Sequence, residues 1–284
     1  MKETTEQRVK QAYKKLQEYL KNIETNEEYL RFLRFQSRFT QYSANNALLI
    51  MLSQPDATFV AGYSAWSKMR RCVRKGEKAI RILAPCTFKV YDDTQNDYVD
   101  RIAGFRIANV FDISQTEGDD SEIPEIVKGL TDDGQLNEII FEQLVNACPT
   151  HVSFNPSMSA KGSFNCETKQ ILILNKCSLN QQAKTLFHEW AHFLCDKMKI
   201  QNDYATEECI AESVSFVVSE RLGMNTSNYS VPYIASWKKD IDVMQSITET
   251  VQKLSREILT RLEALGVINL NGLDSFREED KYHD

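Results

Sequence analysis

Apolar residues recur at helical spacing from the start of the chain. Val9, Tyr13, Leu16, Leu20 and Ile23 fall three or four apart, which puts them on one face of a helix. Thr25 followed by Glu28 is a capping-box pattern, each side chain satisfying the other's backbone N–H, and it restarts a helix through Phe35. A short helix over about 43–53 ends at the Gln54-Pro55 step, because a residue before proline is pushed out of helical geometry. AIRILAPCTFKV and RIAGFRIANVF then read as strands, separated by the turn-rich YDDTQNDYVD.

Beyond them the pattern breaks. SQTEGDDSEIPEIVKGLTDDGQ, residues 114–135, loses its apolar period and gains acids, glycine and proline, the marks of a linker. A helix over about 135–147 follows, then short strands near 151–154 and 162–165 and a stronger one at 170–175, QILILN. Helices are expected over about 179–198, 206–222 and 230–265, the last with apolar residues from 234 to 265 at a spacing of three to four. The pattern predicts an α+β chain of two domains. Residues 1–118 mix helix with antiparallel sheet, 119–134 link, and 135–284 are helical with a small sheet.

Charge sharpens the division. Residues 1–115 carry 19 Lys and Arg against 13 Asp and Glu, and the remainder 15 against 27, so +6 is joined to −12. The basic half suits a polyanion. No apolar run approaches the roughly 18 residues of a membrane span, and MKETTEQRVK is too polar for a signal peptide, so the chain reads as cytoplasmic with no membrane partner. Its seven cysteines are odd in number, scattered and without a C-x-x-C pair, which argues for reduced thiols and against a disulfide framework or a cysteine-ligated zinc.

Two of the four histidines sit in LFHEWAHFL, residues 186–194. On a helix His188 and His192 project from one face a turn apart, where two imidazoles can reach one zinc ion, and Glu189 beside them can take a proton from water. A third ligand is needed, and His283, near the end of the chain, is the only later histidine. The helix TEECIAESVSF offers Glu208 and Glu212, four apart, with Ala211 and Ser215 small enough for close helix approach. Glu208 is favoured as the ligand and Glu212 as the carboxylate holding a histidine N–H. Geometry permits the reverse. Glu207 fits a solvated acidic face better than its neighbours do.

H-E-x-x-H followed by E-x-x-A-[acid or Asn] resembles the ImmA/IrrE-type metallopeptidases, of the thermolysin-like (zincin) class with two His and one Glu. The resemblance implies that Glu208 is the ligand, that Glu212 stands where Asn or Asp is usual, and that QILILN is the edge strand beside the zinc. The LLMP-like run of many members is replaced by VVSERLGMNTS.

In the basic half, Lys68, Arg70, Arg71, Arg74, Lys75, Lys78 and Arg81 face a single acid, Glu77, among Phe35, Phe39, Tyr42, Phe59, Tyr63 and Trp66. Phe35 and Phe59 read as core. Cations that track phosphates, interleaved with rings that stack on bases, suit a sequence-tolerant single-strand binder. S-x-N-N, A-x-x-W, V-x-K-G-E-K, I-L-A-P and V-F-D-x-S-Q-T, all within 30–118, are similar to the N-terminal domain of ArdC-type antirestriction proteins. Tyr233-Ile234-Ala235-Ser236-Trp237 matches that family's Tyr-Ile-x-x-Trp motif, and Arg71-Cys72 departs from its Gly-containing turn.

The resemblance implies a mobile-element protein that binds single-stranded DNA and carries a metallopeptidase-like domain. The expected DNA contacts are Tyr42, Asn45, Asn46, Trp66, Lys68, Arg70, Arg74, Lys75 and Lys78. The expected catalytic residues are Glu189 and, as oxyanion donor, Tyr233. The expected cofactor is one Zn2+ per chain, with Mn2+ as the alternative, and the expected partners are single-stranded DNA and a protein or peptide substrate. Two rival readings are a non-catalytic DNA coat with a structural zinc and a regulatory protease that cleaves a repressor.

Overall fold

The computed structural model describes residues 4–23, 25–94, 96–121, 130, 134–226 and 240–268. These carry eight α-helices and three small sheets, an α+β fold. Among them no helix is long and apolar enough to cross a membrane. Contacts divide them into two units. Residues 4–22 and 45–121 form the first, and residues 23–44 with those from 130 to 268 form the second. Composition does not signal the crossing of 23–44 into the second unit.

In the first unit, α1 (Thr5–Lys21) starts from a capping box between Thr4 and Gln7 and buries Ala12, Leu16 and Leu20. It lies on the hairpin of β3 (Ile80–Asp92) and β4 (Asp97–Asp112). β1 (Val60–Ala61) pairs with β4 on its other side, giving the order β1-β4-β3. The two long strands run further than their sequence suggests, consuming most of the expected turn. Tyr91 and Tyr98 meet edge-on at 5.3 Å, and Asp92 accepts from the Thr94 N–H. A register shift at Cys86/Thr87 makes a bulge. α3 (Ala44–Ser53) and α4 (Tyr63–Lys68) complete the core, with Trp66 buried. β2 (Arg71–Val73) pairs with β5 (Thr116–Gly118) in a separate two-stranded sheet.

In the second unit, α2 (Asn26–Arg38) has the expected Thr25–Glu28 capping box. α5 (Glu138–Ala147) is followed by β6 (Val152–Asn155), β7 (Gly162–Asn165) and β8 (Gln170–Leu174), then α6 (Leu179–Lys197), α7 (Tyr204–Arg221) and α8 (Ile241–Ala264). α7 is the centre. It packs on α6, α8 and α2, and residues from Cys209 to Val218 are buried around most of its circumference, as a helix enclosed on all sides must be. Small polar residues fit it in: Ser215 donates to the Lys184 carbonyl of α6 at 2.8 Å, and Ser213 shares a buried hydrogen bond with Tyr29 of α2 at 3.1 Å. α8 holds the 39–42 segment through Gln252 and Arg256, which donate to the carbonyls of Phe39, Thr40 and Tyr42. The part of the expected 230–265 helix before Asp240 lies outside the described residues.

One strand assignment needs correction. QILIL is not an edge strand but the middle of the sheet β6-β8-β7, parallel to β6 and antiparallel to β7. Of its apolar side chains Ile171 and Ile173 are fully buried and Leu172 and Leu174 half-buried, and the strand that borders α6 as an edge is β7.

Phe216, fully buried on α7, should cost about 3–5 kcal/mol when cut to alanine, whereas Phe88, 51% exposed on the hairpin, should change stability by less than about 0.5 kcal/mol. Urea unfolding of the two variants checks the contrast.

Candidate functional site

α6 begins at Ser178, whose side chain accepts the Gln181 N–H, and buries Leu186, Phe187, Trp190 and Leu194. That burial aims His188 and His192 at α7, both still partly open to solvent. Their Nε2 atoms lie 3.2 Å apart. Glu208 of α7 spans them, with Oε2 3.5 Å from His188 Nε2 and Oε1 3.4 Å from His192 Nε2. An ion bonded at about 2.0–2.1 Å in tetrahedral geometry spaces its ligand atoms about 3.3 Å apart. The three residues thus fit a zinc-sized cation. Among the described residues they are the group of His, Cys, Asp and Glu able to hold one.

The far nitrogens are held as well. His188 Nδ1 meets Glu212 Oε2 at 3.0 Å, and His192 Nδ1 meets Glu207 Oε1 at 2.8 Å. Each imidazole therefore has a carboxylate behind it, which fixes the ring and turns Nε2 toward the cluster. Glu207, read from sequence as a solvated acid, is the counterpart of Glu212. With Glu189 the site gathers four carboxylates around two imidazoles, a charge balance that calls for a cation.

The titration shifts express that surplus. Burial alone would lower the pKa of His188, but the bonds from Glu208 and Glu212 outweigh it and raise it to about 10. Glu208 is lowered, first by its bond to His188. Glu189 is raised by burial, against the pull of the two histidines. The Glu189 carboxylate accepts the Phe164 N–H of β7 and lies on the wall of a cavity of about 530 Å3. Gly162 makes this possible: a Cβ there would stand 2.3 Å from Thr185 Cγ2 and 2.9 Å from Glu189 Oε1. The Tyr204 hydroxyl, at the start of α7, bonds Glu208 one turn on. Its i, i+4 spacing was the available sequence signal. Tyr233, Trp237 and His283 lie outside the described residues.

The basic stretch is built differently from its sequence reading. Trp66 is fully buried and donates to the Phe111 carbonyl, so it packs the core instead of offering a stacking face. Asn46 is buried and clasps both the N–H and the C=O of Leu83, acting as a strand partner. Arg71 is buried against Thr116, Gly118 and Asp120. Tyr42 belongs to the second unit, and Asn45 is half-buried in the first. Lys68, Arg70, Arg74, Lys75 and Lys78 are exposed, as is Tyr63 on the same short helix as Lys68.

The V-F-D-x-S-Q-T run shapes this region. Asp112 accepts from Thr58, Phe59 and Ser114, and Gln115 donates to Glu77 and the Lys78 carbonyl. Arg74 is tied to Glu77 and to the Ser114 and Thr116 carbonyls. The loop 74–78, with Gly76 at φ +95°, is thereby pinned with Lys75 and Lys78 on its surface.

The fold and site define a two-domain protein that carries a metallopeptidase-like H-E-x-x-H helix beside a carboxylate helix. Residues 1–123 match the family model described as the N-terminal domain of anti-restriction factor ArdC, and residues 147–218 match that of the IrrE N-terminal-like domain, an ArdC-like two-domain order. The chain is similar to an uncharacterized Bacillus anthracis protein, pXO2-81, with 24% identity over 310 residues, covering 94% of this chain and 52% of that protein. It spans about half the length of this curated relative. In fold it is similar to the antirestriction protein ArdC of plasmid R388. The metal-free structure gives a TM-score of 0.55 at 18% identity over 78% of this chain and 86% of that one. The Mn(II)-bound structure gives 0.50 at 17% identity over 82% and 97%.

Two outcomes follow for the site. Glu208→Ala should abolish metal retention, and Glu207→Gln and Glu212→Gln should each weaken it by about 10–100-fold, as measured by metal analysis after competition with a graded chelator. Gly162→Ala should lower stability by about 1–3 kcal/mol, while Gly104→Ala, where a Cβ meets nothing within 4 Å, should change it little in the same unfolding measurement.

Proposed function

We propose that the chain is an antirestriction protein that binds single-stranded DNA through its first domain and hydrolyses peptide bonds in its second. The observation that carries the peptidase reading is the meeting of His188, His192 and Glu208 at coordination spacing with Glu189 beside them. These three would hold one Zn2+ per chain. Mn2+ is the alternative, in keeping with the Mn(II)-bound form of the R388 protein. When bound, zinc supplies Lewis-acid polarisation and acidifies water.

The chain's own residues do the rest. Glu189, fixed by the Phe164 N–H, takes a proton from water as its oxygen adds to the peptide carbonyl carbon, then delivers that proton to the nitrogen as the C–N bond breaks. The products are a carboxylate and an amine. Burial raises the Glu189 pKa, which makes the carboxylate a stronger base than one in water. Glu207 and Glu212 hold the two imidazoles in orientation throughout. Tyr233 is the oxyanion donor on sequence grounds.

The DNA reading rests on the exposed cations of 68–78 and on the pinned loop that presents Lys75 and Lys78. With Trp66 buried, the exposed ring of Tyr63 is the stacking surface beside Lys68. The sequence domains 1–118 and 135–284, joined by 119–134, are the units to which these two activities are assigned.

Glu189→Gln separates the activities. The variant should lose hydrolysis of a peptide mixture, followed by mass spectrometry, and keep its metal and its single-strand affinity within about 1 kcal/mol. If the variant still protects entering DNA in a conjugation assay, the protein works as a coat and the peptidase has another role. Replacing both Lys75 and Lys78 by alanine should flatten the salt dependence of single-strand binding by roughly one to two units, each phosphate contact contributing about −0.7 to the slope. Affinity titrations across a range of salt concentrations measure that slope.

A further inference from the structure

The β3–β4 hairpin carries large side chains into water, and strand alternation with the register sorts them by face. Pro85, Thr87, Lys89 and Tyr91 lie on one face of β3, opposite Phe105, Ile102, Asp100 and Tyr98 of β4. Phe105 and Ile102 are three apart, so a regular strand would point them to opposite sides. The bulge at Cys86/Thr87 leaves Ala103 as an extra residue in β4 and turns both to one face. The result is a row of Phe105, Ile102, Tyr98 and Tyr91, which are 40%, 59%, 63% and 46% exposed. It runs along roughly 20 Å of strand.

Helix α1 meets this row at its inner end. Tyr13 lies edge-on to Phe105, with ring centroids 6.5 Å apart. Lys10, Tyr13, Gln17 and Lys21 follow at helical spacing, so two exposed lysines share the stripe of Tyr13. The helix as a whole carries five cations against two acids. The acids of the hairpin are placed elsewhere or matched. Asp92 and Asp97 face each other on the reverse side, Asp93 is in the turn, and Asp100 stands opposite Lys89. The contact of Tyr91 with Tyr98 tightens the end of the hairpin. It gives no reason for Ile102 and Phe105, because an apolar side chain left in water adds little to folding. A contiguous exposed row of this kind marks a binding surface.

We propose that this face of the hairpin, together with α1, is the platform on which single-stranded DNA stacks its bases. The assignment rests on the DNA-binding reading and adds rings to it, since Tyr63 alone serves a single base. Rings take any base by its π-face while cations follow the phosphates. Single-stranded DNA presents both apolar base faces and negative charge, and so uses both features of the surface. A basic protein segment would be repelled by α1, and a purely apolar one would leave its cations without a role.

The test uses the full chain and a fluorescein-labelled oligothymidine, titrated by anisotropy. Tyr91→Ala combined with Tyr98→Ala should weaken binding at least about tenfold, the scale of lost base stacking. It should leave the salt dependence unchanged, because no phosphate contact is lost. Replacing both Lys10 and Lys21 by alanine should flatten that dependence by roughly one unit of slope. Tyr98→Phe, which keeps the ring, and Phe88→Ala, on the reverse face, should bind as wild type. The same oligomer carrying 5-iododeoxyuridine is then crosslinked to wild type by ultraviolet light and mapped by mass spectrometry. Crosslinks should fall on Tyr91, Tyr98 or Phe105.

The crosslink map needs no substitution, so it decides the matter even where a variant misfolds. Wild-type affinity in the double tyrosine variant, an equal loss in Phe88→Ala, or crosslinks confined to other segments overturns the platform and leaves the DNA reading standing. If the tyrosine variant binds DNA normally but turns wild-type dimers into monomers in sedimentation, the row is a contact between copies of the chain and the platform falls. A wild type that does not bind the oligomer overturns the DNA reading and the platform with it.

Discussion

The metal centre depends on how closely α7 can lie against α6. The two histidines come from one helix and their three carboxylate partners from the other, so every distance in the site is a helix-to-helix distance. Ser215 sets it, donating straight to the Lys184 carbonyl, a contact a larger residue would prevent. Cys209, Ile210, Ala211 and Val214 are buried along the same helix. Because α7 is also enclosed by α2 and α8, it cannot slide to relieve strain at the site. Stability of the second unit and geometry of the cluster are one property.

That closeness concentrates charge. Two imidazoles that would be neutral in water are placed among Glu189, Glu207, Glu208 and Glu212, all at least partly withdrawn from solvent. Without a cation the site satisfies itself by keeping a proton on His188, held there by Glu208 and Glu212. A metal and that proton compete for the same carboxylates, so the arrangement that orients the rings also primes them to exchange a proton for a metal ion. Glu189 adds its charge to that balance, and Gly162 of β7 leaves room for its side chain. The base thus shares α6 with both histidines, while Glu208 comes from α7.

Periodicity and capping rules made much of this fold legible. The Thr25–Glu28 box, the helix stop before Pro55 and the pair of long strands all express local physics, and all are present. The pairing of His188 with His192 was legible for the same reason, since it needs only one helix. What could not be read was set by distant neighbours. Glu207 and Glu208 are adjacent, and nothing local says that the crossing of α7 over α6 brings both into the site. QILIL reads equally well as an edge or a central strand, and pairing on both sides makes it central. The deviation at Arg71 looked like added surface charge, yet Thr116 and Asp120 take that guanidinium into the structure.

The basic region shows most clearly why a motif and an interface differ. Of the runs that resemble the ArdC N-terminal domain, several serve the scaffold. Asn46 replaces a missing strand partner for Leu83, Trp66 fills the core, Asp112 binds the backbone of Phe59 and Gln115 that of Lys78. These residues are restrictive because a buried polar group must find its partner or cost free energy. Exposed lysines carry no such requirement: Lys75 and Lys78 need only a loop held in place and solvent on one side. A specific pattern therefore locates the framework, and the surface that meets a polyanion must be found by asking which cations that framework leaves facing water.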